Sequence, residues 1–176
     1  MKAILNTLRT ITPPRIVREA MALLGTLETP GTKSNPIIVN WAKETNTKED
    51  DWYNADSIPW CGLFMAVVAQ RANWEVVKEP LRAKAWDKFG QVVKEAVLGD
   101  ILVFSRNGGG HVGLYVGESA TTYFVLGGNQ GDKVSIAEIS KSRIHSINRP
   151  IYKIAMPESC IKYHYASGGK LSTNEA

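Results

Sequence analysis

Near residue 92 the hydrophobic pattern of this chain changes period, and the change limits the folds open to it. Ahead of that point, Ile16, Ala20, Leu23 and Leu24 recur at helical spacing between Pro13-Pro14 and Gly25, which predicts a helix over 15–25. A second helix is expected from Asn35-Pro36 to Lys43, a third from Cys61 to about Ala72, and a shorter one over 83–89. Beyond 92 the pattern is that of strands. Ile101-Leu102-Val103-Phe104 is a continuous apolar run, and Val112, Leu114 and Val116 alternate with His111, Gly113 and Tyr115. Further short strands are expected over 123–126, 133–136 and 147–152. Helices first and strands second make an α+β chain, with N-terminal helices packed on a small antiparallel sheet.

With 176 residues, 44% hydrophobic and 22% charged, one domain with a substantial core is expected, covering 1–157. From 158 to 176 no periodic signal remains, and a mobile tail is expected there. The first ten residues lack the apolar region and cleavage site of a signal peptide, so export would need another route. No apolar stretch approaches the roughly 20 residues of a membrane-spanning helix, so stable membrane insertion is not expected. A net charge of +4 and a pI near 9.1 suit an anionic partner: nucleic acid, an acidic membrane surface or an anionic wall polymer. The lysines and arginines are scattered and no nucleic-acid motif is present, which argues against nucleic acid.

The chemistry-bearing feature is Ile58-Pro59-Trp60-Cys61-Gly62-Leu63-Phe64, where a cysteine opens an apolar helix. Backbone N–H groups at a helix start favour thiolate over thiol, so Cys61 is expected to ionise readily. An isolated cysteine is more often a small core residue; the helix-start position and downstream partners favour a nucleophile here. His111 follows Gly108-Gly109-Gly110, which would leave room for substrate, and Gly127-Gly128-Asn129-Gln130 supplies side-chain amides. If Val112 and Leu114 face the core, alternation turns His111 toward the other side of the sheet, where the helix starting at Cys61 could pack. Cys61, His111 and Asn129 thus make a candidate nucleophile, base and orienter, with the Cys61 N–H as an oxyanion donor. Trp60, Gly110 and Gln130 are candidate substrate contacts, and Trp60, Trp86 and Tyr115 are candidates for lining a groove.

His145 lacks small neighbours and His164 falls in the expected tail, so both are weaker bases than His111. Gly-Gly-Asn-Gln-Gly is also an ordinary turn composition, which weighs against Asn129. Cys61 and Cys160 lie in unlike contexts, and no disulfide is expected between them. No zinc spacing is present, and no metal or other cofactor is expected. Asp50, Asp51 and Asp56 read as a solvated acidic loop within 44–57 rather than a calcium site.

Together these segments resemble the papain-like NlpC and CHAP cysteine peptidases, and among them a group of phage and bacterial cell-wall hydrolases. The resemblance spans about Ala20 to Pro150. It rests on Glu28-Thr29-Pro30-Gly31 with Asn35-Pro36, Pro59-Trp60-Cys61-Gly62-Leu63-Phe64, Gly99-Asp100-Ile101-Leu102-Val103-Phe104, Gly110-His111-Val112-Gly113-Leu114-Tyr115, and Leu126-Gly127-Gly128-Asn129-Gln130 with Arg149-Pro150. Trp60 stands where the familiar NlpC pattern has an aspartate. The resemblance implies a papain-like fold, catalytic Cys61 and His111 with Asn129 as third member, and cleavage of an amide bond in bacterial peptidoglycan by an amidase or endopeptidase. A monomeric phage endolysin, made in the host cytoplasm and acting on the wall, is the leading expectation. The alternatives are an antibacterial amidase effector and a non-catalytic wall-binding module.

Overall fold

The structure is a computed structural model, and it describes residues 1–45, 53–169 and 171–173. Among the described residues four α-helices come first: α1 (Lys2–Thr10), α2 (Arg15–Ala22), α3 (Pro36–Thr45) and α4 (Cys61–Arg71). Six strands follow: β1 (Gln91–Val92), β2 (Ile101–Arg106), β3 (Gly109–Glu118), β4 (Thr122–Gly127), β5 (Ser135–Ser140) and β6 (Ile144–Arg149). They form one antiparallel sheet in the order β1-β6-β2-β3-β4-β5, so the fold is α+β.

α4 is apolar on every side, and each residue from Cys61 to Ala69 is buried. A helix of 11 residues is marginal by itself in water. Packing supplies what propensity does not, since burying side chains such as Leu63, Phe64, Met65 or Val67 stabilises by about 1.5–3 kcal/mol each. α4 lies between α2 and α3 on one side and β3 and β4 on the other. The sheet face beneath it presents Ile101, Val103, Val112, Leu114, Val116, Phe124 and Leu126. Leu102, Phe104, Tyr115, Tyr123, Val125, Ile139 and Ile147 make a second core on the opposite face.

Several boundaries differ from the sequence reading, each for a local reason. The turn over Ala83–Lys88 is a 3-10 helix. The strand expected over 133–136 starts only at Ser135, because the Val134 N–H and carbonyl bond to Thr26 and Gly25. The last strand ends at Arg149, before Pro150, which has no N–H to pair. The expected loop over 44–57 holds buried Tyr53 and Asp56, and Asp56 Oδ2 accepts the N–H groups of Thr29 and Asn35 at 2.8 Å. Asp56 is therefore a structural acceptor and not a solvated acid; Asp50 and Asp51 lie outside the described residues.

The segment after 158 also packs against the body. Leu98 donates to the Ile161 carbonyl, Glu118 to that of Tyr163, and Tyr165 to that of Glu118. Ser167 Oγ and the Gly168 N–H bond the Glu138 carboxylate. Nonperiodic sequence here follows the irregular rim of the sheet, which offers no repeating face to match. Cys160 is buried, and both cysteines are free thiols.

The end of β6 is tied to the start of β2 by a two-point ion pair: Arg149 Nε and Nη2 donate to Asp100 at 3.0 and 2.8 Å. Asp100 is almost wholly buried, so removing its partner strands a charge. Arg149→Met is expected to lower unfolding free energy by about 3 kcal/mol in urea titrations, and Asp100→Leu/Arg149→Met to recover part of the loss.

Candidate functional site

Cys61 occupies the first turn of α4, held there by Trp60. The Trp60 carbonyl accepts the Phe64 N–H at 2.8 Å, and its indole N–H donates to Glu28 Oε1 at 2.6 Å. Trp60 also packs on Trp41, with ring centroids 5.8 Å apart. Gly62 is required because any Cβ would collide with the Pro80 carbonyl, which crosses directly over the helix start. Trp60, Trp86 and Tyr115 have no exposed surface, so none of the three lines a groove: they are core.

The thiol is almost completely enclosed. Burial is the largest influence on it and pushes its pKa up, against the pull of the Val112 and Gly62 N–H groups, the Arg106 charge and its own N–H. The readily ionised cysteine expected from the helix start is therefore corrected. In this closed state desolvation outweighs the helix N-terminus, and Cys61 rests as a thiol.

His111 lies opposite Phe104 in the β2–β3 pairing and stacks near its ring, with centroids 6.4 Å apart and planes 27° from parallel. Its ring thus belongs to the sheet face of the second core, while the body of α4 covers the Val112 face. Alternation turned His111 as expected, but α4 packs on the other face. Both neighbourhoods border Gly127-Gly128, where β3 and β4 part. A Cβ on Gly127 would stand 3.4 Å from His111 Nε2, and one on Gly128 would stand 2.6 Å from Trp60 and Phe64. Side-chain-free backbone at this pair lets Trp60 and Phe64 pack against Gly128 and the imidazole against Gly127. The thiol lies against the N–H of Val112, the residue after His111.

Gln130, not Asn129, holds the imidazole. His111 Nε2 is 3.1 Å from Gln130 Oε1. The orientation of that amide follows from its other end, where Nε2 donates to the carbonyls of Val125, Gly127 and Ser135. Turning the amide over would set an oxygen against three carbonyl oxygens. Oε1 can only accept, so the neutral ring carries its proton on Nε2 and its lone pair on Nδ1. Asn129 sits in the turn with φ of +56°, and its Oδ1 has no hydrogen-bond partner among the described residues.

Gly110 packs closely on its Cβ side, where a side chain would press on Lys84 Cγ and the Phe104 carbonyl, both at 3.1 Å, while its backbone is half-buried. Its carbonyl accepts from Arg106 Nε at 3.2 Å, which anchors the charge that favours the thiolate. Arg106 was not legible as a site residue, because only the β2–β3 hairpin carries it there. Glu28 had a signal in the early Glu-Thr-Pro-Gly segment, though not for its role as anchor of Trp60. His145 is 3.6 Å from Asp87 and His164 is 3.9 Å from Glu118, partners outside this site.

In comparisons with known proteins, no family model matches this chain and no curated protein matches it.

Two outcomes follow. Nitrogen NMR of His111 is expected to show the Nε2–H tautomer in the neutral ring, and Gln130→Leu to mix the tautomers; a wild-type Nδ1–H ring would refute the assignment. Because the folded thiol holds its proton above the unfolded value of about 8.5, its contribution to stability is complete below that pH and is lost as pH rises toward the folded pKa. Wild type is expected to lose stability more steeply than Cys61→Ala above about pH 8.5, as read by denaturant melts across pH.

Proposed function

We propose that this protein is a papain-like peptidoglycan hydrolase of the phage endolysin type, cutting an amide bond through Cys61 and His111. The observation that supports the reading is a helix-opening cysteine set against the Val112 backbone, one residue from a histidine whose tautomer is set by Gln130. His111 Nδ1 takes the thiol proton as the sulfur attacks the scissile carbonyl carbon. The carbonyl oxygen gains the negative charge, which the Cys61 N–H offsets. Collapse of that intermediate expels the amine, which receives the proton from the imidazolium, and leaves a thioester on Cys61. Water, deprotonated by the same nitrogen, then releases the carboxylate and restores the thiol.

Gln130 has a positioning role. Its bond to Nε2 fixes the tautomer with the lone pair on Nδ1 and supports the imidazolium when it forms. The positive net charge favours approach to an anionic wall. The enclosure of Cys61 and His111 means that substrate enters only after a local opening. That same enclosure favours one competing reading, a non-catalytic wall-binding module in which both residues are core.

Fragment mass spectrometry on purified peptidoglycan decides between them. Wild type is expected to release fragments whose new termini distinguish amidase from endopeptidase. Cys61→Ala and His111→Ala should each lower turnover by roughly 10⁴-fold or more while remaining folded. Gln130→Ala is expected to lower kcat more than it raises KM. Binding without release from several wall types, unchanged in Cys61→Ala, would replace the hydrolase with the binding module.

A further inference from the structure

At the far end of α4 from Cys61, a cleft of about 490 Å³ opens between the start of α2, the residues after α4 and the chain beyond β6. Three cations line it, Arg15, Arg18 and Lys153, beside Trp74, Tyr152 and Ile154, and no carboxylate is among its lining residues. Glu19 pairs with Arg15 at 3.5 Å from outside the lining and offsets part of that charge. The neighbouring cleft of about 720 Å³ shares Trp74 and Lys153, but Glu75 and Glu79 oppose Lys78 and Lys88 in it, so its charge is mixed.

Ile154 lines the cationic cleft and is 84% exposed; Ile151, which lines the neighbouring cleft, is 62% exposed, and Met156, between the lining residues Ala155 and Pro157, is 42% exposed. Three exposed apolar residues within six positions, beside three cations, are the composition of an interaction surface. Lys153 stands between two of them, and Arg15 and Arg18 flank the cleft. That pairing matches a bilayer surface, where apolar side chains enter below the headgroups and the cations stay level with the phosphates. A soluble anion would meet the charges yet leave Ile154 uncovered.

We propose that this face docks on an anionic phospholipid bilayer, with Ile151, Ile154 and Met156 inserted and Arg15, Arg18 and Lys153 on lipid phosphates. No described helix is long and apolar enough to cross a membrane, so the association is peripheral. The eleven residues of α4 span about 15 Å, which sets Cys61 at the opposite end of the helix from the bilayer.

Co-sedimentation of the full chain with vesicles tests it. Binding to phosphatidylcholine vesicles containing about one-third phosphatidylglycerol is expected to exceed binding to pure phosphatidylcholine by about tenfold and to weaken with salt. Ile154→Ser/Met156→Ser and Arg15→Gln/Arg18→Gln/Lys153→Gln should each lose at least about fivefold, with thermal melts confirming the fold. Equal binding to both vesicles, no binding, or variants that bind like wild type would overturn the proposal. So would a concentration-dependent dimer abolished by Ile154→Ser, which would assign the face to a second copy. Cys61 is untouched throughout, so wall-hydrolysis assays on the same variants keep this outcome separate from that of the hydrolase reading.

Discussion

Complete burial of α4 is the constraint from which the arrangement follows. A helix without a polar face has nowhere to sit except between layers, so α2 and α3 must cover it on one side and β3 and β4 on the other. Its first turn then has one available position. The Pro80 carbonyl closes over Gly62, Trp60 is anchored to Glu28, and Gly127-Gly128 admits the helix start against the sheet. Cys61 is consequently placed by packing alone, and its sulfur meets the Val112 backbone.

That placement sets burial against reactivity. The N–H groups around Cys61 and the nearby Arg106 stabilise a thiolate, but removing the sulfur from water costs more, and the resting group is neutral. His111 is treated the same way: wholly enclosed, yet given a defined proton position by an amide whose other end is saturated with carbonyls. Such a pair is preorganised rather than preionised. In the proposed reaction the proton moves from sulfur to Nδ1 as substrate enters, so no charge is buried before it is needed.

Much of the fold was legible because period reports burial. The apolar run opening at Cys61, the buried strand over 101–104 and the alternation through Val116 all describe which sides of an element face protein, and the structure realises α+β from them. Legibility failed where backbone bonds outside the sheet decided the outcome, as at Val134, or where an irregular segment packed on an irregular rim, as after 158. It failed at the site for a different reason. Asn129 and Gln130 are adjacent amides of similar chemistry, and composition cannot tell which points at His111. The turn conformation and the carbonyls of Val125, Gly127 and Ser135 select Gln130.

The sequence by itself determined most of the elements, though not α1, and with them the chemistry on offer and the helix-start position of the cysteine, since those depend on side-chain type and local spacing. Tertiary structure alone decided that α4 covers the Val112 face, that His111 faces Phe104, and that the thiol lies against the backbone of the residue after His111. It also decided that the thiol rests protonated and that an apolar rim with three cations stands at the other end of α4. These outcomes depend on distances between segments far apart in the chain and on how much water each group loses, which no local pattern encodes.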